Sequence, residues 1–185
     1  MKKVAIMLLA LVLVSGTAFA AGSQTGQGAF SLDLSGNFAS EPDSDFDWTF
    51  GPEFGVNADL SRLGVDIGTK SFELQARASM SYYNFDGSVN NVDLEYRRIP
   101  FFAGGRILFP VSPQAKLYGQ LGLEVSFDKV DHVGGSESDT NLGLVPGVGI
   151  IFPVSNQLYL GLNLNMHLIS DTYFTLGGTV GFNLP

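Results

Sequence analysis

The feature that most constrains this chain is an alternation of apolar and polar residues with a period of two, repeated along most of its length. In the segment Gln157–Ile169, for example, Leu158, Leu160 and Leu162 alternate with Tyr159 and Asn163. This period predicts β-strands, not helices. The segments are about 12–15 residues long, whereas strands of soluble proteins usually have about 3–10 and a tilted membrane strand needs about 9–11 in the hydrocarbon.

The alternation predicts eight strands, and no apolar run after residue 21 reaches half the length of a membrane helix. The predicted strands are Gly28–Ser40, Phe46–Leu60, Lys70–Asn84, Val92–Phe109, Ala115–Asp128, Asn141–Phe152, Gln157–Ile169 and Tyr173–Leu184.

The apolar face of these strands must meet lipid or a second sheet, as in a soluble β-sandwich. Only 15% of the residues are charged although 45% are apolar and the mean hydropathy is +0.19. Ordinary soluble domains have about 25% charged residues. A water-facing sheet surface would be richer in charge than the Ser, Thr, Asn, Gln and Gly seen here. We therefore predict a membrane barrel with a lipid-facing and a lumen-facing parity.

The first 20 residues are typical of a secretory signal peptide. Lys2 and Lys3 are followed by the apolar stretch Val4–Val14 and by Ala18-Phe19-Ala20, an A-x-A cleavage site. We expect residues 1–20 to be removed and residues 21–185 to form the barrel domain. Loss of the two lysines takes the net charge from −8 to −10.

The connections between strands alternate in character, as in outer-membrane barrels with short periplasmic turns and longer extracellular loops. Turns are expected at Ser61–Thr69, Pro110–Gln114 and Pro153–Asn156. Polar loops are expected at Glu41–Asp45, Phe85–Asn91 and Lys129–Thr140, and the short connection Ser170–Thr172 departs from the pattern.

Aromatic residues cluster near the strand ends, which predicts two girdles at the membrane surfaces. The turn-end girdle comprises Phe30, Phe72, Phe109, Phe152 and Phe182; the loop-end girdle comprises Phe38, Trp48, Tyr82, Phe127 and Phe174.

The fourth strand changes phase at Arg97-Arg98. Its apolar residues are even-numbered up to Tyr96 and odd-numbered from Ile99. An arginine facing lipid near the midplane costs about 2–4 kcal/mol. We therefore predict a β-bulge at Arg97–Ile99 that turns Arg98 and Arg106 inward. The alternative is that the residues up to Tyr96 belong to a loop extension.

The inward face carries the candidate functional residues. An eight-stranded barrel encloses an interior just wide enough for side chains, so charges inside must pair. Counting from the strand ends places most of these charges near mid-height, where we expect one lumen charge network that either plugs the lumen or gates a narrow pore. Its members are Asp33, Glu53, Arg77, Arg98, Arg106 and Glu124.

Few residues suggest catalysis or metal binding. The absence of cysteine excludes thiolate sites, and 18 acidic against 10 basic residues argue against a nucleic-acid partner. His167 lies close to Ser170 and Asp171, but parity points it inward, and no motif of a lipid-modifying enzyme surrounds it. Asp43, Asp45 and Asp47 match half of a calcium loop that then lacks its glycine and final glutamate. We predict no catalytic residue, metal or cofactor.

The chain resembles the small eight-stranded outer-membrane β-barrels of the OmpX-like and OmpA N-terminal-domain type. The resemblance is carried by the signal peptide, the Arg98-Ile-Pro100-Phe-Phe stretch, the turns Phe109–Ser112 and Phe152–Ser155, and the final alternation Phe174–Leu184. The last strand looks like the signal read by the barrel-insertion machinery, although the chain ends in Leu184-Pro185 and not in an aromatic residue.

These observations predict an all-β, eight-stranded, antiparallel up-and-down transmembrane β-barrel in the cell outer membrane, with both termini periplasmic. We expect a monomeric, non-enzymatic protein in contact with outer-membrane lipid and lipopolysaccharide. Its role is expected to be structural or adhesin-like, through extracellular loops that bind an unidentified ligand. The alternatives are a narrow passive pore and a lipid-modifying enzyme.

Overall fold

The computed structural model describes residues 28–40, 47–65, 71–89, 92–132 and 135–184. The predicted signal peptide and the loop Glu41–Asp45 lie outside these ranges. The strands are β1 Phe30–Ala39, β2 Thr49–Asp59, β3 Glu73–Ser81, β4 Tyr83–Val89, β5 Val92–Ser112, β6 Ala115–His132, β7 Gly135–Pro153, β8 Leu158–His167 and β9 Tyr173–Asn183.

The strands form a closed antiparallel ring. Consecutive strands pair with each other except β3 and β4, β9 pairs back onto β1, and β5 pairs with both β3 and β4. The register on β5 runs unbroken from Met80 opposite Phe101 to Tyr83 opposite Arg98, so β3 and β4 are one barrel strand interrupted at Tyr82. The ring therefore has eight strands, which confirms the predicted up-and-down barrel. Among the described residues, no helix is long and apolar enough to cross a membrane.

The two parities of each strand have opposite environments. On β1, Asn37 is fully buried in the interior, whereas its neighbour Phe38 is 55% exposed on the outside. Large apolar side chains such as Leu121 and Leu142 cover the outer surface. Polar and tyrosine side chains, with a few apolar ones such as Phe85 and Leu108, fill the inside. This inverted arrangement is the one that lipid requires, because hydrocarbon cannot solvate polar groups.

The predicted β-bulge at Arg97–Ile99 is wrong. The register between β5 and β6 is continuous from Glu95 opposite Asp131 to Pro110 opposite Lys116, and it shifts only beyond Pro110. Even-numbered residues of β5 from Tyr96 to Leu108 face inward, so Arg98 and Arg106 are buried without a bulge. The apparent change of phase arises because Tyr96, which looked lipid-facing, packs inside the barrel.

Two of the predicted loops are strands. Most of Phe85–Asn91 belongs to β4, and most of Lys129–Thr140 belongs to β6 and β7. These segments lie beyond the apolar band. Phe85 and Tyr96 still pack inside the barrel, at 0% and 6% exposure, but the outward positions there are polar or charged, so the apolar alternation that predicted strands disappears. We call β4 together with residues 92–97, 129–132 and 135–139 the extracellular projection.

The ten predicted girdle residues lie on the outward parity, at the two ends of the apolar band. Phe72 and Phe109 pack with ring centroids 6.0 Å apart at the turn end. Phe127 packs against Phe101, 5.8 Å away, at the opposite end. Seven of the ten are at least 40% exposed: Phe38, Trp48, Tyr82, Phe109, Phe152, Phe174 and Phe182.

Because the outward residues of the apolar band face lipid, a charge placed among them should destabilise the barrel. We expect Leu121→Arg, which places a guanidinium in the middle of the apolar band, to lower the free energy of unfolding by about 2–4 kcal/mol. The measurement is denaturant unfolding in lipid vesicles, followed by the fluorescence of Trp48, the single tryptophan.

The matched control is Ser136→Arg, on the same outward parity but in the extracellular projection, opposite Asp131. Its unfolding free energy should change by less than about 0.5 kcal/mol. Equal destabilisation by both substitutions would contradict the assigned position of the lipid band.

Candidate functional site in the barrel lumen

The interior is the place where this fold concentrates ionisable and hydrogen-bonding groups. Inward-facing Asp33, Arg77, Arg98, Arg106 and Glu124 are each at most 6% exposed. Charges this deeply buried need partners, because an unpaired charge in a low-dielectric interior is very costly. The partners divide the interior into three clusters along the barrel axis.

The central cluster is built on Arg77 of β3. Its guanidinium donates hydrogen bonds to the carboxylates of Asp33 on β1 and Glu53 on β2, and to Asn57 Oδ1 at 3.0 Å. Gly55 makes this possible, because a side chain there would collide with the guanidinium. Three adjacent strands are thereby joined from inside by one cation between two anions.

Arg106 of β5 supplies the second cation of the central cluster. Its guanidinium lies 3.8 Å from Asp33, donates to Gln120 Oε1 at 3.1 Å, and stacks with its carbon 4.1 Å from the centre of the Tyr118 ring. Tyr159 donates to the other oxygen of Asp33. Two arginines thus balance two carboxylates, so the central cluster carries no net formal charge.

The next cluster, towards the extracellular side, is centred on Glu124 of β6. One of its carboxylate oxygens lies 2.5 Å from His167 Nδ1, and the other accepts a hydrogen bond from the Tyr173 hydroxyl at 3.2 Å. The rings of His167 and Tyr173 stack 4.1 Å apart, and Thr175 Oγ1 lies 3.1 Å from His167 Nε2. We call this the histidine cluster.

A bridge of amides connects the central and histidine clusters. Gln120 donates to Asn165 Oδ1 at 2.8 Å, and Asn165 donates to Thr175 at 3.2 Å. Gln120 and Asn165 meet across β7 because Gly147 lies opposite both of them and has no side chain to separate them.

The third cluster closes the extracellular end around Arg98 of β5. Two nitrogens of its guanidinium donate to the two carboxylate oxygens of Asp128, at 3.0 and 2.9 Å. Its guanidinium carbon lies 5.0 Å from the centre of the Tyr96 ring and 4.8 Å from that of Tyr173. We call this the outer cluster; Tyr173 links it to the histidine cluster.

The predicted lumen network is therefore divided. Asp33, Glu53, Arg77 and Arg106 lie together, whereas Glu124 pairs with His167 and Arg98 pairs with Asp128. Counting from strand ends placed Arg98 and Glu124 too low, because β5 and β6 continue past the membrane. The contact of Glu124 with His167 was missed because it joins β6 to β8 across β7, and one-dimensional spacing does not encode that register. Asp128 lies directly opposite Arg98 in the hairpin of β5 and β6, so continuing the register from the turn would have paired these two residues.

The periplasmic end holds a cavity of about 150 Å³. Lys116 and Glu73 form an ion pair at its rim, 2.7 Å apart, and Leu108, Ile151 and Tyr159 contribute to its walls. Tyr159, which lines this cavity, also joins the central cluster through Asp33.

Thr175, His167 and Glu124 are hydrogen-bonded in the order of nucleophile, base and acid that hydrolases use. All three are at most 7% exposed and point into the packed interior, away from the lipid acyl chains. Ser170 contacts Asp171, not His167. In the part of the chain that the structure describes, no group of three acidic or histidine side chains could hold a metal ion.

A closed eight-stranded barrel with an apolar exterior and a polar, charge-paired interior is the architecture of small outer-membrane proteins. The chain belongs to the family described as outer membrane protein beta-barrel domain, whose model matches residues 6–184. It is an integral protein of the outer membrane.

Solved structures share the fold at low sequence identity. Ail, the attachment invasion locus protein of Yersinia pestis, is 17% identical with a TM-score of 0.57, covering 84% of this chain and 96% of that one. Neisserial surface protein A is 14% identical with a TM-score of 0.58, over 86% and 100%. The outer membrane enzyme PagL is 11% identical with a TM-score of 0.51, over 83% and 99%. No curated protein matches by sequence.

The central cluster predicts a large effect of removing its cation. Arg77→Met leaves Asp33 and Glu53 buried without their main partner, and we expect the free energy of unfolding to fall by about 3–5 kcal/mol. Denaturant unfolding in vesicles measures this loss.

The control for this experiment is Arg62→Gln in the periplasmic turn, where the side chain is 38% exposed. It should cost less than about 1 kcal/mol. Restoring neutrality with Glu53→Gln in the Arg77→Met background leaves Arg106 beside Asp33 and should recover part of the loss. A double variant less stable than Arg77→Met would show that the cost does not come from unpaired charge.

Proposed function

We propose that this protein is a closed, non-enzymatic barrel that anchors and presents its extracellular projection at the cell surface. The observation that carries the proposal is the division of the lumen into three buried, side-chain-filled clusters. With the interior occupied by its own side chains, the groups available to other molecules lie at the extracellular end.

The clusters argue against the pore alternative. Arg77, Arg106 and Arg98 each lie in the lumen, and each is held by partners on other strands or by stacked tyrosine rings. An ion would have to separate several of these contacts in succession, at two or more heights. A conducting pore needs continuous water along its axis, which this packing does not provide.

The enzyme alternative draws on the hydrogen-bonded order of Thr175, His167 and Glu124 and on the fold shared with PagL. Likeness at this identity concerns the fold alone, and one fold serves many functions. A lipid-modifying site must reach acyl chains from the barrel surface, whereas these three side chains face the lumen. Their contacts are those of a structural cluster.

The projection supports a role in surface interaction. β5, β6 and β7 have 21, 18 and 19 residues, far more than the membrane requires. In β7, residues 135–140 are exposed, and β8 pairs with β7 only from Gly147, apart from one bridge at Leu144. A paired sheet that stands above the membrane is a rigid surface for a ligand.

Planar-bilayer recording tests the closed lumen. We expect the wild-type protein to give no discrete conductance steps. Arg98→Ala should behave in the same way, because the histidine and central clusters still fill the lumen below it. Conductance steps whose size changes in Arg98→Ala would overturn the closed-barrel proposal and favour the pore.

The surface role is tested by trimming the projection. Residues 86–95 and 131–136 are each replaced by Asn-Gly, which joins the opposed pairs Phe85–Tyr96 and Val130–Glu137 by two-residue turns. The trimmed barrel should keep its heat-modifiable gel mobility. In a deletion strain, it should restore resistance of the envelope to detergent but not adherence to protein- or glycan-coated surfaces.

Full-length protein should restore both phenotypes. Adherence that the trimmed barrel restores fully would contradict a role for the projection. A lipid A mass spectrum that differs between deletion and complemented strains would favour the enzyme alternative instead.

A further inference from the structure

The outward face of β5 and β6 carries three rows of residues where the barrel leaves the membrane. Ile99 lies opposite Phe127 and completes the apolar band on these strands. The next outward row is Arg97 opposite Lys129, and the row after it is Glu95 opposite Asp131. Successive rows are two residues apart, or about 7 Å along the strand.

The positive charges occupy one row, and the negative charges occupy the next row away from the membrane. Cross-strand pairs of like charge destabilise a sheet, and pairs of opposite charge stabilise it. Here both directly opposed pairs are of like charge, and the ion pairs run along the strands or diagonally. Arg97 contacts Glu95 at 2.9 Å and Asp131 at 3.2 Å, and Lys129 contacts Asp131 at 2.6 Å. Cross-strand stability therefore does not explain the arrangement.

The cationic row lies immediately outside the hydrocarbon. Of the described lysines and arginines, Arg97 and Lys129 are those on the outward face at the extracellular end; Arg77, Arg98 and Arg106 face the lumen, and Arg62 and Lys116 lie at the periplasmic end. The side chains of Arg97 and Lys129 are 39% and 43% exposed. The outward neighbours in the same row, Asn84 opposite Arg97 and Ser138 opposite Lys129, carry no charge.

We propose that Arg97 and Lys129 form a binding site for the phosphate group of a phosphorylated glycolipid in the outer leaflet. Paired cations beside the hydrocarbon complement an anionic headgroup, and each is worth roughly three- to fivefold in affinity for an anionic membrane surface. The acidic residues Glu95 and Asp131 lie farther from the bilayer than the two cations. They hold Arg97 and Lys129 in place and leave the membrane side of both side chains accessible to a phosphate.

Arg97 is preorganised for this role. Glu95 accepts two hydrogen bonds from it, at 2.9 and 3.0 Å. These bonds lower the pKa of Glu95 and raise the pKa of Arg97, so the pair stays ionised at neutral pH. A guanidinium clamped on one edge has its remaining N–H groups fixed in direction, which favours recognition of phosphate oxygens.

The test is titration of the detergent-solubilised mature protein with bisphosphorylated lipid A, read by native mass spectrometry. We expect wild-type protein to form a saturable complex with it and to bind phosphatase-treated lipid A at least fivefold more weakly. Arg97→Gln with Lys129→Gln should weaken binding of the phosphorylated lipid by roughly tenfold. Binding should also decline as ionic strength rises.

The matched control is Glu95→Gln with Asp131→Asn. It breaks the same ion pairs but keeps both cations. The loss of the clamp on Arg97 and the loss of two negative charges act in opposite directions, so binding of phosphorylated lipid A should weaken far less than in Arg97→Gln with Lys129→Gln. Heat-modifiable gel mobility establishes that each variant is folded. Equal weakening by the two double variants would overturn the proposal, as would a wild-type protein that binds both forms of lipid A equally.

A conservative variant separates charge from packing. Arg97→Lys keeps the positive charge but loses the planar guanidinium. On a logarithmic scale, its loss of binding affinity relative to wild type should be less than half of the loss caused by Arg97→Gln. If Arg97→Lys binds no better than Arg97→Gln, an electrostatic contact with phosphate is not the source of the effect.

Discussion

Backbone hydrogen bonding in hydrocarbon is the constraint on which this structure depends. Lipid offers no partner to a strand edge, so a sheet in the membrane must close on itself. The pairing of β9 with β1 and of β3 with β5 meets this requirement. Closure with eight strands then sets a narrow interior, which must be filled by side chains. The polar clusters of the lumen are thus a consequence of closure.

Filling a narrow lumen with polar groups requires that each charge meet its partner across strands. Here glycines are as important as the charged residues. Gly55 makes room for Arg77, and Gly147 lets Gln120 and Asn165 meet. Others admit tyrosine rings: Gly149 lies against Tyr118 and Gly181 against Tyr159. The resulting contacts join β1, β2, β3, β5, β6, β8 and β9 from within, so the lumen side chains reinforce the backbone ladder around the ring.

The sequence predicted those parts of the fold that lipid selects directly. Apolar alternation between Leu117 and Phe127 exists because every second residue meets hydrocarbon, and it identified the strand, its inward face and the barrel. Where that selection ends, prediction failed: residues 129–140 looked like a loop, and Tyr96 looked lipid-facing. The sequence predicted which residues face the lumen better than it predicted which of them contact one another. Parity turned His167 and Glu124 inward, but their contact spans 43 residues and depends on the register of β6, β7 and β8.

The positions of the arginines show how strand register assigns charged residues to the lumen or to the outer surface. Three arginines face the lumen, where carboxylates and tyrosines hold them, and they contribute to packing. Arg97 immediately precedes Arg98 on the same strand, yet the two-residue period turns it to the opposite face, at the edge of the hydrocarbon. One dipeptide therefore supplies a cation to seal the lumen and a cation to meet the headgroups. This division needs an unbroken register through Arg97 and Arg98, because a bulge there would have reversed the facing of everything beyond it.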